Sequence, residues 1–588
     1  METMDVDATI ASMALARRLP VDGIHGLYRQ CDKKDMIKVS QVCRSWRQTL
    51  HDYTGFWADI DVTLGNHDPD LKAAYWLERA GQRPLTINIG TSWEDGDLDS
   101  AEQVFLAEHS VVRLGVVLRS CMDRWETVNI MVYHRRVLDV LLPIFAGYAP
   151  KLTSLSMEVL ESAPVSVDAQ RPLIPLLAPI GRQIGVGLSV AIDSYIPRLT
   201  TFGRSITNLT VDCNFDTPWT SDDILQVFQS CPNLKECDLY LQGTGMIGIP
   251  SLDTPIPMLQ LEELCINWVQ DIENVLVVLQ LPALESISLG QVDWSTEAMS
   301  ALWDVFSSSQ SLSAVTVTDE APGYEDRLTA IAPFHANPLA LEAVTYFDAG
   351  GNPLTRPLLE RITLPRVEIL HLPGVPFEVV HRLLSSSPGL CSVWLSDATG
   401  IPPDSTHSPT TLSALSHLYT RNCPGLLDDI HAPQLDSLHL LCPSGQVASS
   451  GAALRAFIER SAPNLTALYL EKIDISDEEI LECLGRLPSL RTLCFSACPI
   501  SDAVLHALAV RPPRTRYSER LLPHLKIIEL TGNTGISPQG VVKLFASRNS
   551  NPKSHIKGNI KFLKKPTAKD ADALSHYSSS LTYSHGKR

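Results

Sequence analysis

The chain has 588 residues, 44% of them hydrophobic and 19% charged, with a formal net charge of −18. That length exceeds the ~250–300 residues at which a single hydrophobic core stops growing, so the chain is multidomain or a repeat array. The composition excludes a disordered chain or a fibre, and no run of ~18 apolar residues provides a membrane span; the best stretch, Pro175 to Ile192, is broken by Arg182 and Gln183.

The first residues, Met1 to Asp7, are acidic where a secretory leader is basic, which predicts an intracellular protein of the cytoplasm and/or nucleus. Residues 1–18 read as a disordered N-terminus. Residues 19–60 then read as a small all-helical module. Asp32 is placed to cap a helix with Asp35 at its third position, a variant of the capping box. Val39, Val42, Cys43, Trp46 and Leu50 fall on one helical face, and Ile24, Leu27, Tyr28 and Cys31 repeat the period on a shorter helix. Helices this few cannot bury a self-sufficient core, so the module leans on a partner or on the next domain.

These residues resemble an F-box. Leu19-Pro20 opens it, Asp35-Met36-Ile37 matches the central Asp-Leu-Leu, and Val42-Cys43-Arg44-x-Trp46 matches its Val-Cys-Arg-x-Trp pattern. The match runs ungapped to Trp57, where fungal members commonly carry Trp. Departures are Gly23 and Gly26 in the first helix, Cys31 for a usual Leu and Lys33 for a common Pro; each helical Gly costs about 0.5–1 kcal/mol relative to Ala. The resemblance implies docking to a Skp-type adaptor and, through it, to a cullin scaffold. Leu19, Pro20, Ile24, Leu27, Val39, Val42 and Trp46 are its candidate contacts or supports.

Residues 61–149 show no clear period and read as an irregular linker and N-terminal repeat cap. From about 150 to 547 a ladder of L-x-x-L-x-L units appears, often headed by Pro-x. Clean copies begin at Pro282, Pro365, Pro433, Pro463, Pro488 and Pro523; weaker ones begin at Leu152, Ile206, Leu234, Leu261, Leu312, Leu341, Leu390 and Leu415. From Ile206 to Leu525 the step averages about 27 residues, inside the 20–29 window of leucine-rich repeats. The last two apolar positions of each unit are two apart and point inward from a short strand. Ser476-Asp477-Glu478-Glu479, Ser501 and Ser537-Pro538 open helices between strands. Leu490 to Leu508 resembles the cysteine-containing repeat type, common in F-box substrate receptors. The predicted fold class is therefore α/β, a leucine-rich-repeat solenoid of horseshoe form behind an F-box module.

The residue between the last two apolar positions faces away from the core. Repeat by repeat it reads Asp238, Cys265, Ser288, Thr316, Thr345, His371, Trp394, Tyr419, His439, Tyr469, Cys494 and Glu529. Five successive ring-bearing residues, His371 to Tyr469, are the candidate substrate-binding stripe, since Tyr and Trp dominate interface hot spots; the other reading is a self-stacking ladder that only braces the sheet. Small Ser392, Ser437 and Ala467 leave the rings accessible. A second row, Glu262, Glu285, Glu342, Glu368 and Asp436, lies at the strand starts and favours a basic partner or forms a solvated rim.

From Arg548 onward nine Lys/Arg stand against two Asp/Glu, so residues 548–588 read as a basic, disordered tail on an acidic body. That body argues against direct nucleic-acid binding. The thirteen cysteines lack disulfide-framework spacing. Cys494-x3-Cys498 with His506 lacks a fourth zinc ligand, so no metal and no cofactor is expected. There is no GxxxxGK[ST], HExxH or GxSxG, which argues against an enzyme and leaves only the irregular region for one. The expectation is a substrate-recognition subunit of an SCF-type ubiquitin ligase that captures a protein substrate without contacting membrane; the alternative is a repeat scaffold whose helical module no longer binds an adaptor.

Overall fold

The computed structural model describes residues 41, 44–65, 68–92, 101–160, 174–178, 187–194, 196–213, 219–241, 254–269, 272–292, 294–318, 337–351, 355–398, 409–423, 425–442, 450–509, 521–550 and 555–585. The chain divides into two compact units, the boundary falling between Leu284 and Glu285. Leu19, Pro20, Ile24, Leu27, Val39 and Val42 lie outside the described residues.

In the first unit, helices Arg44–Asp52 and Thr54–Trp57 precede the strands. Trp46, the one adaptor-site candidate among the described residues, and Leu50 are buried. The Trp57 indole donates to the Leu50 carbonyl at 3.0 Å and packs edge-on against Trp76, ring centroids 5.1 Å apart. Phe56 stacks on the same Trp76 at 5.7 Å. This aromatic cluster fastens the helical segment to the first strand–helix unit.

Parallel strands follow at Asp59–Leu64, Leu85–Thr91, Trp125–Val132, Ser154–Val159, Leu188–Asp193, Ile206–Cys213, Glu236–Leu241 and Glu263–Asn267, each paired with the next. Alternate residues such as Ile60 and Val62, Ile87 and Ile89, and Val128 and Ile130 are buried, the period-2 pattern of a one-sided strand. Helices Pro69–Ala80, Ala101–Arg119 and Arg135–Ile144 connect the first of them. The expectation of an irregular linker over 61–149 is thus corrected: the segment is three strand–helix units. The reason is helix length. A helix of 19 residues between the second and third strands stretches that step well past 27, and neither the Leu85 nor the Trp125 strand carries the Pro-x-Leu leader, Pro84 standing directly against Leu85.

The second unit continues the pattern through twelve strands: Ser286–Gly290, Ala314–Thr318, Tyr346–Ala349, Ile369–Pro373, Ser392–Ser396, His417–Arg421, Ser437–Leu441, Ala467–Glu471, Thr492–Ser496, Ile527–Thr531, Lys557–Phe562 and Leu581–His585. Neighbours pair in parallel and in register throughout. Leu438, Leu440, Leu468, Leu470, Leu493 and Phe495 form the inward row and are buried. No single repeat closes its own core; each apolar face is covered by the next. The fold is mixed α/β, of stacked leucine-rich-repeat-like units.

Helix starts follow the sequence. The Ser476 hydroxyl accepts from the Glu479 N–H at 3.2 Å while the Glu479 carboxylate accepts from the Ser476 N–H at 3.0 Å. Ser501 and Ser537 cap the next two helices, and each is tied back to the helix before it: the Ser501 N–H donates to Asp477 at 2.8 Å and the Ser537 N–H to Asp502 at 2.9 Å. Buried Asn533 accepts from the Cys498 N–H and donates to the Phe495 carbonyl, both at 2.9 Å.

The disordered tail expected at 548–588 is also corrected. Strands Lys557–Phe562 and Leu581–His585 flank the helix Ala568–Ser575, and Ile556, Ile560, Phe562, Leu574 and Leu581 are buried. A repeat strand needs only alternate apolar positions, so Lys557 and Lys561 occupy its solvent side without preventing it. Among the described residues no helix is long and apolar enough to cross a membrane.

Candidate functional site

The register of the second unit brings His371, Trp394, Tyr419, His439 and Tyr469 onto five consecutive strands as direct partners. Their flanking residues Leu370, Leu372, Val393, Leu395, Leu418, Leu438, Leu440, Leu468 and Leu470 point the other way and are buried. Parallel pairing without slippage therefore converts one position of the repeat into a continuous row of rings.

The rings touch in sequence. His371 and Trp394 meet edge-on at 6.2 Å between centroids, Trp394 stacks on Tyr419 at 5.0 Å with 23° between planes, Tyr419 meets His439 edge-on at 4.7 Å, and His439 lies tilted against Tyr469 at 5.4 Å. These distances fall within the range of favourable aromatic pairs. Trp394 is 48% exposed and the other four are partly buried. Ile369, 41% exposed, extends the apolar surface beside His371. Ser392, Ser396, Ser437 and Ala467 flank the rings with small side chains.

One position differs from the sequence expectation. The residue in the row before His371 is Asp348, not Thr345: Asp348 pairs with His371 and with Thr316 across the sheet. The repeat runs Val344-x-x-Phe347-x-Ala349, three residues later than the Leu341 frame, because Ala349 fills the last inward position where a larger residue was expected. Thr345 instead lies at the strand start, its hydroxyl donating to the Ser313 carbonyl at 3.3 Å. Glu342 leaves the acidic row for the same reason, while Glu262, Glu285, Glu368 and Asp436 stay in line just before their strands. Glu262 is held by Lys235 at 3.3 Å.

Asp348 was invisible as a site residue, yet it organises the start of the stripe. It is 8% exposed, and one carboxylate oxygen lies 3.0 Å from His371 Nδ1. It also raises the Tyr346 phenol's pKa, after the larger effect of burial. Further along, burial pushes His439 below its usual value and so keeps the imidazole neutral, with Glu471 opposing. Tyr469 is pushed up by burial and then by Glu529 and Cys494.

Beyond the rings the row continues with Cys494 and Glu529, and before Asp348 with Ser288 and Thr316. In the first unit Asp238 and Cys265 are register partners. The Cys494 thiol is pushed up to about 12, first by burial and then by Glu529, so it is not an activated nucleophile. Among the described residues no group of His, Cys, Asp and Glu is placed to hold a metal ion, the Cys494–Cys498–His506 segment included. Cys121, Cys213, Cys231, Cys237, Cys423, Cys442, Cys483 and Cys498 are buried thiols.

No protein-family model matches the chain, and no curated protein matches it. Among solved structures it is similar to the mouse RP105/MD-1 complex at 13% identity, covering 89% of each chain with a TM-score of 0.34. A likeness that weak carries no argument about activity.

Proposed function

We propose that the chain is the substrate-recognition subunit of an SCF-type ubiquitin ligase, in which the F-box-like segment docks a Skp-type adaptor and the repeats capture a protein substrate on the ring stripe. The observation that carries the capture half is the stripe itself: four successive ring contacts across five strands, with Trp394 half in water. Trp and Tyr are the residues that protein interfaces most use as anchors, and here a half-exposed Trp stands beside a partly buried Tyr. The adaptor half rests on the resemblance of Leu19 to Trp57 to an F-box. Buried Trp46 and the Trp57–Trp76 contact support it by giving such a module a seat on the first repeat.

The test is a pulldown of the full chain with a Skp-type adaptor. Wild type binds, and Leu19→Ala with Pro20→Ala weakens binding by about 1–2 kcal/mol or more, the size of a desolvated anchor. Absence of wild-type binding refutes the ligase reading and leaves a repeat scaffold. Gly23→Ala with Gly26→Ala strengthens binding if those glycines only loosen the first helix.

A further inference from the structure

We infer that the ring stripe takes a short, extended, proline-containing segment of its partner, laid across the strands, with a lysine or arginine over the Tyr469 end. The inference rests on the stripe being the capture surface and adds the chemistry of what it captures.

Length comes first. Five strands at ~4.8 Å spacing give a row ~19 Å long, the reach of about six residues of extended or polyproline chain. The row runs perpendicular to the strands, so a segment lying on it makes no ladder hydrogen bonds with this sheet. A segment that binds through its faces without backbone pairing loses least when it is already ordered, as polyproline is.

Shape points the same way. Trp394 and Tyr419 are stacked against each other at 5.0 Å, which leaves no slot for a third ring between them. What the row offers is a run of faces and edges, raised above Ser392, Ser396, Ser437 and Ala467 and continued by exposed Ile369. Flat pyrrolidine rings match such a surface; a bulky anchor that needs a deep pocket does not.

Charge sets the orientation. Glu471 follows Tyr469 by two residues on the same strand face, and Glu529 lies two strands further along the same row, separated by Cys494. The register sets Glu471 on the strand before Cys494 and Glu529 on the strand after it, and both carboxylates raise the Cys494 thiol's pKa behind the larger effect of burial. Neither makes an ion pair among the described residues, and Lys557 and Lys561 on the strand beyond Glu529 do not pair with it. Arg421, the cation nearest the middle of the stripe, is engaged by Asp397 at 3.4 Å. The Tyr469 end is therefore anionic and open to a cation, while a phosphorylated or acidic segment meets repulsion there.

A display library of random decapeptides, selected on the full-length chain, tests this. The expected result is enrichment of proline together with Lys or Arg. Trp394→Ala should weaken the selected peptides about thirtyfold or more. Glu471→Gln with Glu529→Gln should weaken the cationic peptides about fivefold, flatten their salt dependence, and leave versions with the cation replaced by Gln unchanged. Selected peptides that need Trp394 but are acidic, or lack proline and cation, overturn the inference while leaving the stripe as the capture surface. So does a double Gln variant that binds cationic peptides as wild type does. If no peptide depends on Trp394, the inference fails; a parallel comparison of proteins captured by wild type and Trp394→Ala then decides whether the capture reading fails with it.

Discussion

Arg548 is the first residue of the segment that composition marks as a basic tail, yet it is only 1% exposed. It lies in the last turn of the helix Pro538–Asn549, and its guanidinium donates to the Leu508 carbonyl at 2.7 Å, the Leu521 carbonyl at 2.7 Å and the Leu522 carbonyl at 3.0 Å. Arg548→Met keeps most of the stem volume and removes the fork. Hydrogen bonds to a charged group contribute ~1.5–3 kcal/mol each, and relief from burying the cation offsets part of that sum. The net loss expected is about 2–4 kcal/mol, because three buried carbonyls lose their donor while the cost of burying the cation is removed with it. Arg548→Lys keeps the charge without the fork and should fall between. Hydrogen exchange by mass spectrometry on the full chain should show lost protection in Ile527–Thr531, Pro538–Asn549 and Lys557–Phe562, with Leu85–Thr91 unchanged, since repeats couple chiefly to neighbours. Native exchange in those segments, together with a stability change below ~1 kcal/mol, would refute the reasoning. Arg382, which donates to the Ile362 carbonyl at 2.6 Å, and Arg460, which donates to the Ile430 carbonyl at 2.9 Å, repeat the device.

Leu468→Ala removes a fully buried inward residue and should cost about 2–5 kcal/mol by chemical denaturation, with exchange rising first in the strands Ser437–Leu441 and Thr492–Ser496. Ser476→Ala deletes one half of a capping box and should cost ~1 kcal/mol. His439 is held below its ordinary 6.5 by burial, so on acidification the unfolded chain takes up that proton before the folded one. The stability involved is present above pH 6.5 and lost as pH falls below it. The difference in melting temperature between wild type and His439→Gln should thus shift in the variant's favour from pH 7.5 to about 5.5. A difference that does not move with pH would remove His439 from the buried, neutral part of the stripe.

Much of the second unit was legible because most strands there carry their own marker: Pro-x-Leu or Pro-x-Val, then two inward residues two apart. Once that frame is known, side-chain alternation alone names the residue between them, and His371, Trp394, Tyr419, His439 and Tyr469 are in register. The frame slipped where the inward pair is Phe347 and Ala349. A small inward Ala beside an outward Tyr346 makes the wrong register look more apolar than the right one, and Asp348 was lost with it. The segment 61–149 hid for a different reason: long connecting helices destroy a fixed period even though every strand alternates cleanly. Residues 548–588 hid because a charge count averages the two faces of a strand. Lysines on the solvent face say nothing about Ile560 and Phe562 beneath them.

Whether the rings brace the sheet or bind a partner turns on how much of Trp394 the sheet already uses. The covered half of the indole faces its two ring neighbours, His371 and Tyr419, and such contacts contribute ~0.5–1.5 kcal/mol per pair. The other half, 48% exposed, is on the order of 120 Å² for a side chain of ~250 Å². At ~25 cal/mol per Å², covering it is worth about 3 kcal/mol to a partner and nothing to the isolated fold. Bracing alone would be served equally by a ring sunk between its neighbours, as Tyr419 is. Trp394→Ala should therefore split the two quantities: a stability loss of about 1–3 kcal/mol, set by its two ring pairs with His371 and Tyr419, and on top of it a capture loss above 2 kcal/mol, set by the exposed face. Equal losses in both, or a large loss of stability with capture intact, would assign the stripe to the sheet.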